Sequence, residues 1–227
     1  MEVTEDRESE EPQFRKFTPD DMAACTKLAW GAWALVDQEP GPDDDPSVME
    51  GYVRSFLMRS NWNEVAFDSH GVIGFLFGRI SKGEGREKVA SPISELNVIP
   101  RFLFSNSRMP PISPIVMVHF FLTELKVLVN VPRSDAEVNL IVVDRTHRGR
   151  RLGTSLVNRF VEEAKKAGCD RVTLYTDDQM SNWKFYEIYG FKKTATFHDS
   201  LTSYFAEKRA NGIVYVLELG NSVATHK

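Results

Sequence analysis

The chain has 227 residues, 42% of them hydrophobic and 26% charged, ordinary values for a globular protein that exclude a disordered, collagen-like or membrane-spanning chain. A net charge of −4, from 28 Lys and Arg against 32 Asp and Glu, argues against a general nucleic-acid binder, whose domain would be strongly basic. Two cysteines, Cys25 and Cys169, and five scattered histidines supply neither a disulfide framework nor a zinc site, so we expect no metal and a reduced, cytoplasmic setting.

The charge is unevenly placed. Residues 1–12 hold six carboxylates against Arg7, a local −5 that leaves the remaining 215 residues at +1. That acidic start lacks the basic and then apolar pattern of a signal peptide and holds too little apolar surface to pack, so residues 1–13 are expected to be a disordered tail. Residues 14–227 are expected to form one domain.

Phe14 to Phe17 predicts a short strand. Thr18 then offers an N-cap, Pro19 the first helical position and Met22, Cys25, Leu28, Ala29 and Ala32 one helical face. The prolines of Pro40 to Pro46 predict a loop, and Ser47 to about Arg59 a second helix. Glu64–Asp68 and Val72–Ile80, joined by Ser69-His70-Gly71, read as a β-hairpin. Ser81–Ser134 is rich in proline around an apolar stretch from Ile115 to Val131. His119, Glu124, Lys126 and Asn130 interrupt that stretch, whereas a membrane span needs roughly 20 predominantly apolar residues, so it predicts a buried or amphipathic helix.

The last part is the clearest. Ala136–Val143 is apolar and of strand length. Leu152, Leu156, Val157, Phe160, Val161 and Ala164 recur at helical spacing, and Gly168 closes that helix. Arg171–Thr176 predicts a strand, Asn182–Tyr189 a short helix ended by Gly190, and Phe191–Thr196 with Ile213–Leu219 a strand pair. Strands and helices in this order predict an α/β fold with a mixed sheet.

Between strand and helix lies Arg148-Gly149-Arg150-Arg151-Leu152-Gly153. The first amides of a helix lack internal partners and carry partial positive charge, so a loop there suits an anion. Gly149 and Gly153 allow close backbone approach, and the arginines add donors fitted to phosphate. Neither a Walker loop nor Gly-x-Gly-x-x-Gly is present, and by itself such a loop is usually a solvated turn.

Its neighbours carry more. The strand Glu137–Val143, the Arg-x-x-x-x-Gly loop, the helix after it, and Asn182-Trp183-Lys184-Phe185-Tyr186-Glu187-Ile188-Tyr189-Gly190-Phe191 together resemble the acyl-CoA-binding core of the GNAT superfamily of N-acetyltransferases. The resemblance covers Ala136 to Thr196, and the flanking elements agree in order from Phe14 onward. It departs at Arg151, which stands at the first small-residue position of the family's Arg/Gln-x-x-Gly/Ala-x-Gly/Ala, and in the length of 81–134, read as an insertion before the fourth strand that forms a substrate wall or a homodimer contact.

The resemblance implies a mostly antiparallel mixed sheet flanked by helices and transfer of an acetyl group from acetyl-CoA to a small-molecule or peptide amine, with neither nucleic acid nor membrane as partner. It implies that the backbone of Ile141, Val142 and Val143 pairs with the pantetheine arm. Arg148, Gly149, Arg150, Arg151, Leu152, Gly153 and Thr154 would then cradle the pyrophosphate, and Asn182 would bind the cofactor further along. Tyr186 matches the position that protonates the departing thiolate, the alternative being a ring that packs its helix on the sheet. Glu137 lies six residues before Val143, on one face with Asn139, Ile141 and Val143 in an unbroken strand. Histone-acetyltransferase-like members carry a general-base Glu there, and an edge residue in solvent is the equal alternative. Asp177, Asp178 and Tyr204, with His198 and Asp199, are candidates for the acceptor side. The acidic stretch holding Asp37, Glu39, Asp43, Asp44, Asp45 and Glu50 would attract a cationic acceptor or else stay solvated. A non-catalytic acyl-CoA-binding module is the other reading of the whole.

Overall fold

The computed structural model describes residues 11–33, 46–82, 114–179 and 181–220. Most of the acidic tail, the Pro40–Pro46 loop short of Pro46, the acidic positions 37–45 and residues 83–113 of the long segment lie outside the described residues.

β1 (Gln13–Lys16) includes Gln13, which the tail was expected to hold, because that residue pairs with Phe67 of the next strand. Asp21 closes the turn into the first helix: it accepts from the Thr18 amide at 2.8 Å and from both Arg15 terminal nitrogens at 2.6 and 2.7 Å. α1 (Met22–Trp33) and α2 (Pro46–Met58) follow. The hairpin is β2 (Trp62–Asp68) and β3 (Gly71–Ile80). α3 (Pro114–Asn130) precedes β4 (Ala136–Val143), which leads into α4 (Leu152–Lys166) and β5 (Arg171–Asp177). α5 (Lys184–Tyr189), β6 (Lys192–Asp199), α6 (Ser200–Phe205) and β7 (Ala210–Glu218) complete the chain.

The strands form one sheet in the order β1-β2-β3-β4-β5-β7-β6. All neighbours are antiparallel except β4 and β5, which are joined through α4. Alternation along the strands gives two cores. Leu76, Ile80, Ala136, Val138, Val172 and Leu174 meet α4, whose Leu152, Leu156, Val157, Phe160, Val161 and Ala164 are all buried as their spacing predicts. Met22, Cys25 and Ala29 of α1 and Val53 of α2 cover Val65, Phe75, Phe77 and Val142 on the opposite face. Each such large side chain contributes about 1.5–3 kcal/mol on burial.

α3 corrects part of an expectation. It is a helix, but Val118, Phe121, Leu122 and Val129 are 57, 46, 45 and 81% exposed. Among the described residues its main partners are β6 and α6, which take one stripe of a helix that is apolar nearly all round. No helix among the described residues is long and apolar enough to cross a membrane.

Candidate active site

Parallel pairing of β4 with β5 is brief. Ala136, Glu137 and Val138 pair with Val172, Thr173 and Leu174, and no further pair follows among the described residues. Beyond them β4 stays on β3 and β5 stays on β7, so the two strands part and leave an unpaired edge on each. A cavity of about 540 Å³ fills the opening.

A bulge sets what β4 presents there. Phe77 pairs with Leu140 but Gly78 pairs with Val138, so Asn139 is the extra residue. The predicted face of Glu137, Asn139, Ile141 and Val143 is therefore broken. Asn139 turns to the α2 side, its Nδ2 donating to Arg59 O at 3.1 Å and Ser60 Oγ at 2.8 Å, whereas Ile141 and Val143 pack with the α4 core. Glu137 does not line the cavity: Arg79 Nη2 donates to its Oε2 at 2.9 Å across the strand pair.

At one end of the cavity the chain leaves β4 through a 3-10 turn at Arg145–His147, held by Asp144, whose Oδ1 accepts from Thr146 N at 2.7 Å. Gly149 at φ +80° and Arg151 at φ +60° then bend the backbone into α4, whose first turn receives no side-chain cap. Arg148, Gly149, Arg151, Leu152, Gly153 and Thr154 line the cavity; Arg150 does not. Gly153 lies so close under the α5 aromatics that a Cβ there would stand 3.4 Å from Phe185 Cζ and 3.7 Å from Val143 Cγ2. α4, β4 and α5 thus converge on this end of the cavity.

α5 forms the facing wall with Asn182, Phe185 and Tyr186. Gly190, at φ +116°, ends this short helix, and its amide and that of Phe191 both donate to Tyr186 O. The Tyr186 ring packs against Phe185, Phe191 and Tyr215. Burial, with Asp177 and Tyr215 nearby, pushes its phenol well above the ordinary value, so the proton is held firmly. Packing and chemistry are both open to this residue.

The opposite end lies between α2, α3 and α6. Asp177 lines the cavity, but Asp178 does not: its carboxylate accepts from Asn211 N at 2.9 Å and Asn211 Nδ2 at 2.7 Å, tying β5 to β7. Tyr204 stands outside as well, its ring stacked on His119 of α3 at 4.9 Å. His198 is also outside the lining, whereas Asp199 is inside and 1% exposed. Asp199 accepts from Tyr175 Oη, Thr123 Oγ1 at 3.0 Å, Thr202 N at 2.9 Å and Thr202 Oγ1 at 2.7 Å. Two charged residues that sequence reasoning did not put forward complete this end. Arg59, just after α2, and Glu124 of α3 line the cavity with Nη1 and Oε2 3.4 Å apart. The signal available for Glu124 was a carboxylate inside an otherwise apolar run, since an acid in such a run is seldom buried without a purpose.

The geometry agrees with what is known of similar proteins. Residues 120–191 match the acetyltransferase (GNAT) family profile, a stretch that starts on α3 and ends just after α5. No curated protein matches the chain in sequence. Among solved structures, SsHAT overlays with a TM-score of 0.62 at 17% identity, covering 93% of this chain and 100% of its own. The ribosomal-protein-S18-alanine N-acetyltransferase from Escherichia coli overlays at 0.52 and 12% identity, covering 96% and 99%. The yncA protein from Salmonella typhimurium, solved with its cofactor acetyl-CoA, overlays at 0.52 and 13% identity, covering 95% and 98%. Such identities speak to the fold, and the profile match speaks to the signature strand, loop and helices. The sheet order, the parted β4–β5 pair and the matched stretch agree: the chain has the fold of these acetyltransferase structures, and its residues 120–191 match the GNAT family profile.

Proposed function

We propose that the protein is an N-acetyltransferase that moves the acetyl group of acetyl-CoA directly onto a primary amine. The observation that carries this reading is the opening between β4 and β5, which joins the Arg148–Thr154 turn at one end to Arg59 and Glu124 at the other. The residues fit the cofactor. The unpaired edge of β4 from Asn139 onward offers backbone groups to an extended amide-bearing arm, and the uncapped first turn of α4 offers amides to a pyrophosphate. Arg148 and Arg151 add charge there, and Asn182 stands further along the same wall. Arg150, outside the cavity lining, would act on the cofactor only from there.

Acetyl-CoA supplies an acyl thioester, and the chain's residues do the rest. A main-chain N–H among Ile141–Val143 donates toward the thioester oxygen, the kind of fixed dipole that favours developing negative charge. Tyr186 gives its proton to the leaving sulfur. Burial keeps the Tyr186 phenol protonated, so a proton is present for the sulfur as negative charge develops on it. The resemblance assigns proton removal to Glu137, which from its place beside Arg79 would have to act through water. Asp177 remains on the acceptor side, while Asp178 and Tyr204 would shape that side through β7 and α3 rather than touch the acceptor.

Calorimetry with acetyl-CoA and CoA tests the reading first, and no heat at millimolar ligand would end it. Thiol release across a panel of primary amines tests it second. Binding without release would instead mark a non-catalytic acyl-CoA-binding module.

A further inference from the structure

We propose that Glu124 of α3 is the group that takes the proton from the acceptor amine. The inference rests on the acetyltransferase reading and deepens it. Three observations carry it. Glu124 lines the cavity at the end away from the Arg148–Thr154 turn, whereas Glu137 lies outside it and is held by Arg79 at 2.9 Å. The Glu124 side chain is 23% exposed, and its nearest charged partner among the described residues, Arg59 Nη1, stands at 3.4 Å, too long for a strong charge-assisted bond. The helix that carries it is fixed: the neighbouring Thr123 donates to Asp199 at 3.0 Å and accepts from Leu201 N at 3.0 Å. The carboxylate is therefore inside the reaction space, held in position and weakly engaged.

The charged groups around it come from every packed element. Arg59, just after α2, favours the ionised form, while Glu137 of β4 and Asp199 at the end of β6 oppose it, and Tyr175 of β5 faces the same space. Burial is the largest influence and, with the two carboxylates, outweighs Arg59, so Glu124 holds a proton above the usual carboxylate range. A base tuned toward neutrality accepts an amine proton more readily than an ordinary surface carboxylate.

The proton balance is complete. As the acceptor nitrogen bonds the acyl carbon and the carbon–sulfur bond breaks, one N–H proton passes to the Glu124 carboxylate and the sulfur takes the Tyr186 proton. Solvent then removes the proton from Glu124 and returns one to Tyr186. Tyr52, Phe56, Phe120 and Leu201 wall the space around Glu124, so the probes should include amines on apolar stems.

The experiment measures thiol release from acetyl-CoA with tyramine, spermidine and a lysine peptide for the wild type, Glu124→Gln, Glu124→Asp and Glu137→Gln. Expected for Glu124→Gln is a turnover lower by roughly 10²–10⁴, with the acidic limb of the pH–rate profile gone and acetyl-CoA affinity unchanged by calorimetry. The unchanged affinity also shows that the variant is folded. Glu124→Asp should restore part of the rate and the acidic limb. Wild-type turnover in Glu124→Gln, or a loss that falls on Glu137→Gln alone, overturns the proposal. A wild type that binds acetyl-CoA but releases no thiol with any amine overturns the acetyltransferase reading, and the proposal with it.

Discussion

Arg151 is a non-glycine residue at φ +60°, a backbone region that costs an L-residue about 1–2 kcal/mol because its Cβ crowds the next carbonyl. The motif that the sequence resembles allows glycine at this position, and this backbone conformation favours glycine over any residue with a Cβ. Replacing it with glycine removes the crowding but frees the unfolded chain by about 0.5–1 kcal/mol. Arg151→Gly should therefore leave stability equal or higher by up to about 1 kcal/mol, read from the urea midpoint. It should weaken acetyl-CoA binding in a salt-dependent way, because a cation is lost from the turn proposed to hold the pyrophosphate. Tyr186 makes a separate prediction. Phenylalanine keeps the ring that packs on Phe185, Phe191 and Tyr215 and removes only the proton donor. Tyr186→Phe should lower turnover by roughly 10²–10⁴ while acetyl-CoA affinity holds. An unaltered rate would leave the residue with packing alone.

Elements differ in what they ask of their neighbours, and that decides which of them the sequence reveals. β4, the turn after it and α4 are written locally: an apolar run of strand length, an arginine-glycine turn, and a helix with one clean apolar stripe. The bulge at Asn139 is not local. It arises where β4 meets β3, and one inserted residue exchanges every later side chain between faces, which is why Glu137 was expected beside Ile141 and Val143 and stands apart from them. Glu124 needed a partner 65 residues away to acquire meaning, and Asp178 needed Asn211, 33 residues on. α3 shows the same dependence in its anchoring. Asp199 joins Thr123 of α3, Tyr175 of β5 and Thr202 of α6 through one buried carboxylate. Asp199→Ala would leave these donors buried without an acceptor, at about 1–3 kcal/mol for each that water cannot reach. The expected loss is on the order of 3 kcal/mol by denaturant titration. Amide exchange should rise first in α3 and α6, while β2, β3 and α4 stay protected. Uniform exchange across the whole sheet would mean that Asp199 supports the core rather than the acceptor wall.

At the scale of the whole molecule, a net charge near zero outside the first dozen residues says little about how stability responds to pH; individually placed carboxylates decide it. Asp21 is held below the usual carboxylate range chiefly by Arg15, with Thr18 helping. In Asp144 and Asp178 burial alone would raise the pKa, but donors from Thr146 and His147, and from Asn211 and Gln179, outweigh it and lower both. A lowered folded-state pKa contributes stability that is present above the unfolded value of about 3.9 and is lost as pH falls through the folded value. Glu124 has the opposite sign. Its folded pKa lies above the unfolded value of about 4.3, so its contribution is fully present below that value and is lost as pH rises through the folded one. The two effects have opposite signs: the three aspartates lower stability as pH falls below about 4, and Glu124 lowers it as pH rises above about 4.3 toward neutrality. Glu124→Gln imitates the protonated carboxyl at every pH. In that variant the decline toward neutrality should flatten while the acid limb stays, measured as urea midpoints across the pH range. The acid limb should soften instead when Asp21 is made Asn, because the Arg15 partnership no longer titrates. A decline toward neutrality that survives in Glu124→Gln would assign it to other groups. It would also remove the burial that tunes Glu124 for a proton-accepting role, so the pH dependence of folding bears directly on how the acceptor end of the cavity works.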